Sequence, residues 1–234
     1  MSSDTHMACR IGELDDLCFL SNSDCHSPWP HRLGREFNRL KLKNLGFKEI
    51  MKALKNEGGR GMMLNVGLNP LEGKYHLTAC IRCYKPFHLE DALGLRMRCP
   101  ECRGLIKKGV SDRAGELAGR EDCGGVERPP YLHILPLAEV LSLSLGVKTL
   151  TSKKIQEHWE KLVESFGSEI NVLVDEKVEE IMRLDADAGK IIQRFRQKRM
   201  HYNPGGGGRY GTPSLKKVEP DYYGRGQKRL GQYE

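Results

Sequence analysis

The chain has 234 residues, of which 38% are hydrophobic and 29% are charged, and its formal net charge is +7 at pH 7. This length allows one ordinary domain with part of another, or two small domains. No apolar run approaches the ~20 residues that a membrane-spanning helix needs, which excludes that class and any membrane partner. The first residues show no basic and apolar regions of an export signal, so we expect a cytoplasmic protein.

The excess positive charge lies near the C-terminus, where residues 190–234 carry eleven basic and three acidic residues. Such a concentration of charge predicts a polyanion such as DNA as the partner. Residues 204–234 lack periodicity and are expected to form a flexible basic tail. Within it, the glycines at 205–208 would act as a joint that lets Arg209 reach a backbone phosphate.

Near the N-terminus, the apolar run at 17–20 is typical of a strand buried in a parallel sheet, whose neighbours must come from upstream or from another chain. A helix is expected after Asn44, ending at Gly58. Its predicted apolar face consists of Phe47, Ile50, Met51 and Leu54. Residues 61–70 predict a short strand and a turn.

The region after Arg128 predicts a small helical domain. One helix is expected over 135–145, with Pro136 near its start and Gly146 just past its end. A second begins after Ser152 and is closed by Gly167. Residues 170–174 predict a brief strand, and helical spacing recurs around 178–184 and 191–195.

Four cysteines predict a structural metal site. The pairs Cys80/Cys83 and Cys99/Cys102 are Cys-x-x-Cys motifs with fifteen residues between them. Each pair can direct two thiolates at one ion, and two pairs complete a tetrahedron around zinc with no open position. A redox motif needs only one such pair. We therefore expect a zinc ion that serves folding rather than catalysis.

Basic residues crowd this zinc segment, and Arg82, Lys107 and Lys108 are the expected nucleic-acid contacts. A solvated charged face is the alternative. The neighbouring His76 and His88 are expected at the surface. The remaining cysteines, in the absence of an export signal, are expected to be free thiols in a reducing cytoplasm; these are Cys9, Cys18, Cys25 and Cys123.

Asp24 and His26 follow the predicted strand at 17–20. In barrel folds, this end of a strand carries catalytic ligands. A carboxylate and an imidazole two residues apart can bind a divalent metal ion. A capping Asp in an ordinary turn would give the same pattern, so the pair alone does not decide between the two.

The longer segment 20–36 resembles the last metal motif of the polymerase and histidinol phosphatase (PHP) superfamily, in which Ser-Asp-x-His precedes a Pro and a Leu-Gly. Together with the four-cysteine cluster, further segments look like the endonuclease Q family; they are 73–80, 106–110, 128–134 and 204–211. The resemblance runs in order along nearly the whole chain.

This resemblance implies a metal-dependent DNA repair endonuclease that nicks the strand 5′ of deaminated bases (uracil, hypoxanthine) and at abasic sites. Position by position, Asp24 and His26 match catalytic metal ligands for Zn, Mg or Mn, and Cys80, Cys83, Cys99 and Cys102 match the zinc ligands. His31, Arg32 and Arg35 lie beside the metal motif and are expected to contact phosphate.

The family's His-x-His motif and its middle His and Glu ligands have no counterpart in this sequence. The resemblance therefore implies the C-terminal portion of the enzyme with a truncated PHP domain, and a separate N-terminal PHP polypeptide is a candidate partner. Two ligands cannot hold a multinuclear site, so we expect no catalysis by this chain alone.

The expected architecture is α+β and multidomain. Residues 1–60 would be the C-terminal remnant of a PHP (α/β)7 barrel, 61–127 a four-cysteine zinc-ribbon module, 128–203 a helical domain and 204–234 the tail. The alternative function, from a different class, is a non-catalytic zinc-ribbon protein that binds nucleic acid or acts as an adaptor.

Overall fold

The computed structural model describes residues 3–29, 32–217 and 219–224. These residues form two compact units, each assembled from separated parts of the chain. The cysteine unit contains the described residues of 1–15, 69–126 and 201–234, and the sheet–helix unit contains those of 16–68 and 127–200. The chain therefore divides differently from the four consecutive domains that the sequence predicted.

The sheet–helix unit contains a three-stranded sheet in the order β1–β2–β5. Strand β1 (Phe37–Lys41) runs antiparallel to β2 (Gly61–Gly67), and β2 runs parallel to β5 (Tyr131–His133). The pairing shifts by one residue between Arg39 and Leu40. Among the described residues this sheet is open, so a barrel remnant is not evident, although the mixed α/β class is confirmed.

The helices of this unit follow the predicted spacing closely. Helix α5 (Leu137–Leu145) follows Pro136 and ends at Gly146, and α6 (Lys153–Phe166) follows Ser152 and ends at Gly167. Both glycines have positive φ angles, which a helix C-terminus favours. The last helices are α7 (Val178–Leu184) and α8 (Ala186–Arg196). The apolar core contains Leu141, Ile155, Leu162, Ile181 and Ile192.

The predicted strand at 170–174 is wrong. Asn171–Asp175 instead forms a single π-helical turn. Arg196 holds this turn from α8, because its guanidinium donates to the carbonyl oxygens of Val172, Leu173 and Glu176 at 2.6–3.0 Å. Val172 and Leu173 are fully buried, so the prediction that this apolar segment lies in the core is correct. The prediction of an extended strand is wrong, because the segment is helical.

Helix α2 (Phe47–Leu54) forms in the predicted region, but it begins after Gly46, ends four residues before Gly58 and turns the opposite face inward. The exposed fraction is 77% for Phe47, whereas Glu49 and Ala53 are buried. The Glu49 carboxylate accepts hydrogen bonds from Arg60 Nε at 2.6 Å and Nη2 at 2.9 Å. Arg60 lies eleven residues after Glu49 in the chain. The side of α2 that carries this ion pair is the buried side.

The predicted buried strand at 17–20 is also wrong. This segment is neither helix nor strand, and Leu17 is 54% exposed. Two asparagine side chains of the sheet hold its backbone instead. Asn65 donates to the carbonyl of Phe19 at 2.9 Å, and Asn38 accepts from the amide of Ser21 at 2.8 Å. Side-chain amides thus make the backbone hydrogen bonds that a neighbouring β-strand would otherwise make.

The cysteine unit consists of short elements. They are α1 (Thr5–Ala8), β3 (Ala79–Cys80), α3 (Leu89–Gly94), β4 (Ile106–Lys107), α4 (Val110–Leu117), β6 (His201–Asn203) and β7 (Thr212–Ser214). Strands β3 and β4 pair antiparallel, as do β6 and β7. Its small core contains Phe87, Ala92 and Ile106 beside two of the cysteines. So little apolar material requires an additional constraint for stability.

Part of the predicted flexible tail is folded. Gly205 to Gly207 are buried, and the amides of Gly205 and Gly208 donate to the carbonyls of Leu71 and Lys74, both at 2.8 Å. These glycines therefore anchor the chain instead of serving as a joint. Residues 218 and 225–234 of the predicted tail lie outside the described residues. Within the described ranges, no helix has the length and apolar character needed to cross a lipid bilayer.

Candidate functional site

The two Cys-x-x-Cys pairs come together as predicted. The Sγ atoms of Cys80, Cys83, Cys99 and Cys102 all lie within 4.8 Å of one another. The Cys80–Cys102 distance is 3.4 Å and the Cys83–Cys99 distance is 3.6 Å. Ligands of a tetrahedral ion at zinc–sulfur bond length would lie about 3.8 Å apart, so the four sulfurs have the spacing of a metal site.

Local backbone geometry places these thiols. Cys80 ends β3, whose partner β4 follows Cys102 in the chain. Gly104 lies between Cys102 and β4 in the chain, and a Cβ added there would lie 2.8 Å from the Cys80 sulfur. Because no side chain fits at that distance, the position requires glycine. The glycine in the turn after the second pair thus lets the backbone pass close to the cysteine sulfurs.

The electrostatics of the cluster favour a bound cation. Burial raises the pKa of Cys83 to about 12 and also raises the pKa of Cys99. The backbone amide of Gly104 lowers the pKa of Cys102 to about 7. Four thiolates this close repel one another unless a cation compensates their charge. The donor set therefore fits a thiophilic ion such as zinc, and it leaves no open position for a substrate.

A disulfide joins Cys9 and Cys123, so the prediction that both are free thiols is wrong. The two residues are 114 positions apart, and their sulfurs are bonded. The disulfide connects the loop after α1 to the loop after α4. Arg120 reinforces this connection, since its guanidinium donates to the Cys9 carbonyl and to both carboxylate oxygens of Asp15. Cys18 and Cys25 are free and exposed, as predicted.

Asp24 and His26 lie in an exposed loop of the sheet–helix unit. The Asp24 side chain is 99% exposed, and His26 Nδ1 lies 2.8 Å from the Asp24 carbonyl oxygen and 3.7 Å from its carboxylate. In the part of the chain that the structure describes, no third His, Cys, Asp or Glu joins them in a metal-binding group. The neighbouring His31 lies outside the described residues.

The predicted phosphate contacts fall into two groups. Arg82, Lys107, Lys108 and Arg209 belong to the cysteine unit, and Arg32 and Arg35 belong to the sheet–helix unit. Arg82, Lys107 and Arg209 are exposed, whereas the Lys108 ammonium contacts Glu116 at 2.5 Å. Arg32 is exposed, whereas Arg35 is buried and lies near two half-buried carboxylates, those of Glu139 and Glu169.

Three features of the cysteine unit escaped the sequence analysis. His76, expected at the surface, is 8% exposed. Tyr75 lies beneath the ammonium of Lys107, 3.9 Å from the ring centroid. Tyr210 is exposed near Lys74. The contact between Tyr75 and Lys107 gives no local signal, because the two residues lie far apart in sequence.

The fold and the thiol cluster together define a two-unit α/β protein with a four-cysteine group that could hold a metal ion. A model of the family described as the MJ0043 C-terminal domain matches residues 136–199. The uncharacterized protein MJ0043 of Methanocaldococcus jannaschii is 43% identical over 95% of this chain, and the uncharacterized protein YqxK of Bacillus subtilis is 36% identical over 90%. This chain covers 28% of the former and 50% of the latter.

Two solved structures are also similar. The lesion-specific endonuclease PfuEndoQ of Pyrococcus furiosus superposes with a TM-score of 0.87 at 48% identity, over 92% of this chain and 53% of that one. An endonuclease Q complex with a 27-mer duplex carrying an abasic lesion superposes at 0.84 and 47% identity, over 92% and 54%. The resemblance to the endonuclease Q family is thereby confirmed, and the chain spans about half the length of these structures.

Proposed function

We propose that this chain is the DNA-binding, metal-module part of an endonuclease Q-type repair enzyme. The observation that carries the proposal is the superposition of 92% of the chain on a lesion-specific endonuclease at 48% identity, with the four thiols assembled. A relative whose crystals contain duplex DNA with an abasic lesion makes DNA the natural ligand. The reaction proposed for the whole enzyme is metal-dependent nicking 5′ of uracil, hypoxanthine and abasic sites.

The cysteine unit would supply much of the DNA contact. Arg82, Lys107 and Arg209 are exposed cations of this unit. Each phosphate that a lysine or arginine neutralises releases counterions, so binding through these residues depends on salt concentration. Arg32 and His31 remain proposed contacts next to the loop of Asp24. Arg35 is the weakest proposed contact, because its side chain is buried beside two carboxylates.

The proposed metals have separate tasks. A zinc ion held by Cys80, Cys83, Cys99 and Cys102 would stabilise the cysteine unit, since four thiolates leave no position for water. At Asp24 and His26, a divalent ion (Zn, Mg or Mn) would activate water for phosphodiester hydrolysis when bound. The carboxylate and the imidazole would supply two ligands there. Further ligands would come from a PHP polypeptide that completes the site.

A binding and cleavage experiment tests the proposal. We expect a labelled duplex with one abasic site or one uracil to bind the purified chain with an affinity that falls steeply between low and moderate salt. We expect no nicking by the chain alone with any of the three metal ions. Supplying the missing ligands in cis or in trans should restore nicking, and Asp24→Ala should abolish it without weakening DNA binding.

A second candidate is a non-catalytic DNA-binding or adaptor protein. It is favoured by the exposure of Asp24 and His26 and by the lack of a third ligand among the described residues. The same experiment separates the candidates. Tight DNA binding without lesion preference, and without nicking after complementation, would support the non-catalytic DNA-binding protein. The absence of any DNA binding would contradict both the repair enzyme and that DNA-binding protein, and would leave the adaptor.

A further inference from the structure

Residues 219–224 form an irregular segment that lies on the cysteine unit. They contact four consecutive residues, 85–88, which begin two positions after the first Cys-x-x-Cys pair. We call residues 219–224 the strap and residues 85–88 its seat. Lys85 and Asp221, which pair across this contact, are 136 residues apart. The strap therefore reaches the cysteines only in the folded protein.

Polar contacts hold the strap at one end of the seat. Lys85 Nζ donates to the Asp221 carboxylate at 2.6 Å, and the backbone amide of Tyr223 donates to the carbonyl of Pro86 at 2.9 Å. The Asp221 side chain is 79% exposed, so water and salt reach this ion pair. The pair orients the Lys85 ammonium more than it stabilises the fold.

Two aromatic contacts complete the seat. The ring of Tyr223 stacks on Phe87, with 5.1 Å between the centroids and 28° between the planes. The ring of Tyr222 stacks on His88 at 4.2 Å and 8°. Each of the four seat residues thus contacts the strap. Because Phe87 is fully buried, Tyr223 covers part of the small core of the unit.

The seat also positions the thiols of the first pair. The carbonyl of Lys85 accepts from the backbone amide of Cys80 at 3.0 Å, and the amide of Lys85 donates to the Cys83 sulfur. Tyr223 packs against the core that contains Cys80 and Cys99. A movement of the seat would therefore displace ligands from both pairs, and groups behind the ligands are known to set how firmly a metal is held.

The strap borders the approach to the thiol cluster. Of the four clustered thiols, Cys83 is the exposed one. A hollow of about 240 Å³ reaches Cys83, and Pro220 and Asp221 form part of its wall. Four thiolates around a divalent ion leave a net negative charge, which the neighbouring Lys85 ammonium compensates in part. Asp221 thus holds a cation at the point where the cluster is most accessible.

From these observations we propose that the strap controls how fast a bound metal ion leaves the four-cysteine group. On its seat, the strap fixes the backbone around the first pair and walls one side of the hollow at Cys83. Lifted, it would free both. An irregular segment held by few contacts can open while the rest of the unit stays folded. This inference rests on the metal module of the proposed function and is independent of DNA.

The test measures metal release from the zinc-loaded full chain after mixing with excess 4-(2-pyridylazo)resorcinol, whose absorbance reports free zinc. Tyr223→Ala should release zinc about tenfold faster than wild type, because the seat loses its cover. Tyr223→Phe should release zinc at the wild-type rate, because the ring is retained. Equal rates for Tyr223→Ala and wild type would overturn the proposal.

The ion pair gives a second variant, which keeps the test decisive if Tyr223→Ala does not fold. Asp221→Asn should release zinc about twofold to fivefold faster at low salt, and high salt should remove the difference. Asp187→Asn is the matched control, since it breaks an exposed ion pair with Lys190 in the other unit. Equal effects of the two substitutions would contradict a specific role of Asp221.

The remaining outcomes separate this proposal from the one on which it rests. If the purified chain binds no zinc, the metal module fails and the strap proposal fails with it. If it binds zinc but the variants release the ion only as fast as they unfold, the strap merely stabilises the fold and the proposal is overturned. Release faster than unfolding, measured by circular dichroism under the same conditions, would support a strap that opens by itself.

Discussion

Gly207 packs directly against the carbonyl group of Cys80, the first of the four clustered cysteines. A Cβ atom added to Gly207 would overlap that carbonyl oxygen, and the residue has a φ angle of +63°. Both the close approach and the left-handed conformation require glycine. A loop more than a hundred residues away in sequence therefore supports the backbone of the four-cysteine cluster.

We predict that Gly207→Ala destabilises the cysteine unit by about 2–4 kcal/mol, because it combines a left-handed Ala with a backbone overlap. Zinc affinity should fall as well. Gly115→Ala is the control: Gly115 lies in α4, where a Cβ meets nothing within 4 Å. That variant should be about 0.5–1 kcal/mol more stable than wild type. Thermal unfolding and a zinc competition titration measure both effects, and equal stability of the two variants would contradict this account.

We also predict that one zinc ion co-purifies with each chain and that Cys102→Ser unfolds the cysteine unit. The unit has a small apolar core, so the metal supplies much of its folding free energy. Binding should release protons, since burial raises the pKa of Cys83 and Cys99. Metal analysis and calorimetry in buffers of different ionisation enthalpy test this. Identical unfolding temperatures before and after chelation would refute it.

The disulfide makes a separate prediction. Removing it by Cys9→Ser should destabilise the cysteine unit by roughly 2–5 kcal/mol, because the disulfide closes a very long loop. Adding reductant to the wild type should produce a similar loss. Cys18→Ser is the control, since Cys18 is free and exposed. A wild-type unfolding temperature that does not respond to reductant would mean that this disulfide is absent in solution.

The Glu49–Arg60 pair predicts a loss of stability in acid. Hydrogen bonds from Arg60 lower the pKa of Glu49 from 4.5 to about 2. A carboxyl whose pKa is lower in the folded state stabilises that state above its unfolded pKa. This contribution should be lost as the pH falls from about 4.5 to about 2. Glu49→Gln should be less stable at neutral pH and should lack this acid-dependent component. Urea titrations across that range measure both, and parallel pH curves for the two proteins would contradict the assignment.

The features best predicted from the sequence are those that depend on residues close together in the chain. Gly167 ends α6 because a left-handed C-cap acts within one turn, and the Cys-x-x-Cys spacing identified the four clustered thiols because each pair is local. Long-range contacts reversed other expectations. Arg60 draws Glu49 inward and leaves Phe47 exposed, and Asn65 replaces the strand partner expected at 17–20. The Cys9–Cys123 disulfide has no signature in the sequence, because its two cysteines are 114 residues apart.

The segmented cysteine unit has a consequence for synthesis of the protein. A nascent chain emerges from its N-terminus, so the thiols of Cys9, Cys18 and Cys25 are exposed long before Cys123 appears. The last residue of the sheet–helix unit is residue 200, whereas the cysteine unit also needs Gly207 and strand β7, which are synthesised later. Early oxidation would therefore join Cys9 to a cysteine that precedes Cys123, such as Cys18 or Cys25. The native disulfide requires that Cys9 stays reduced until Cys123 has been translated.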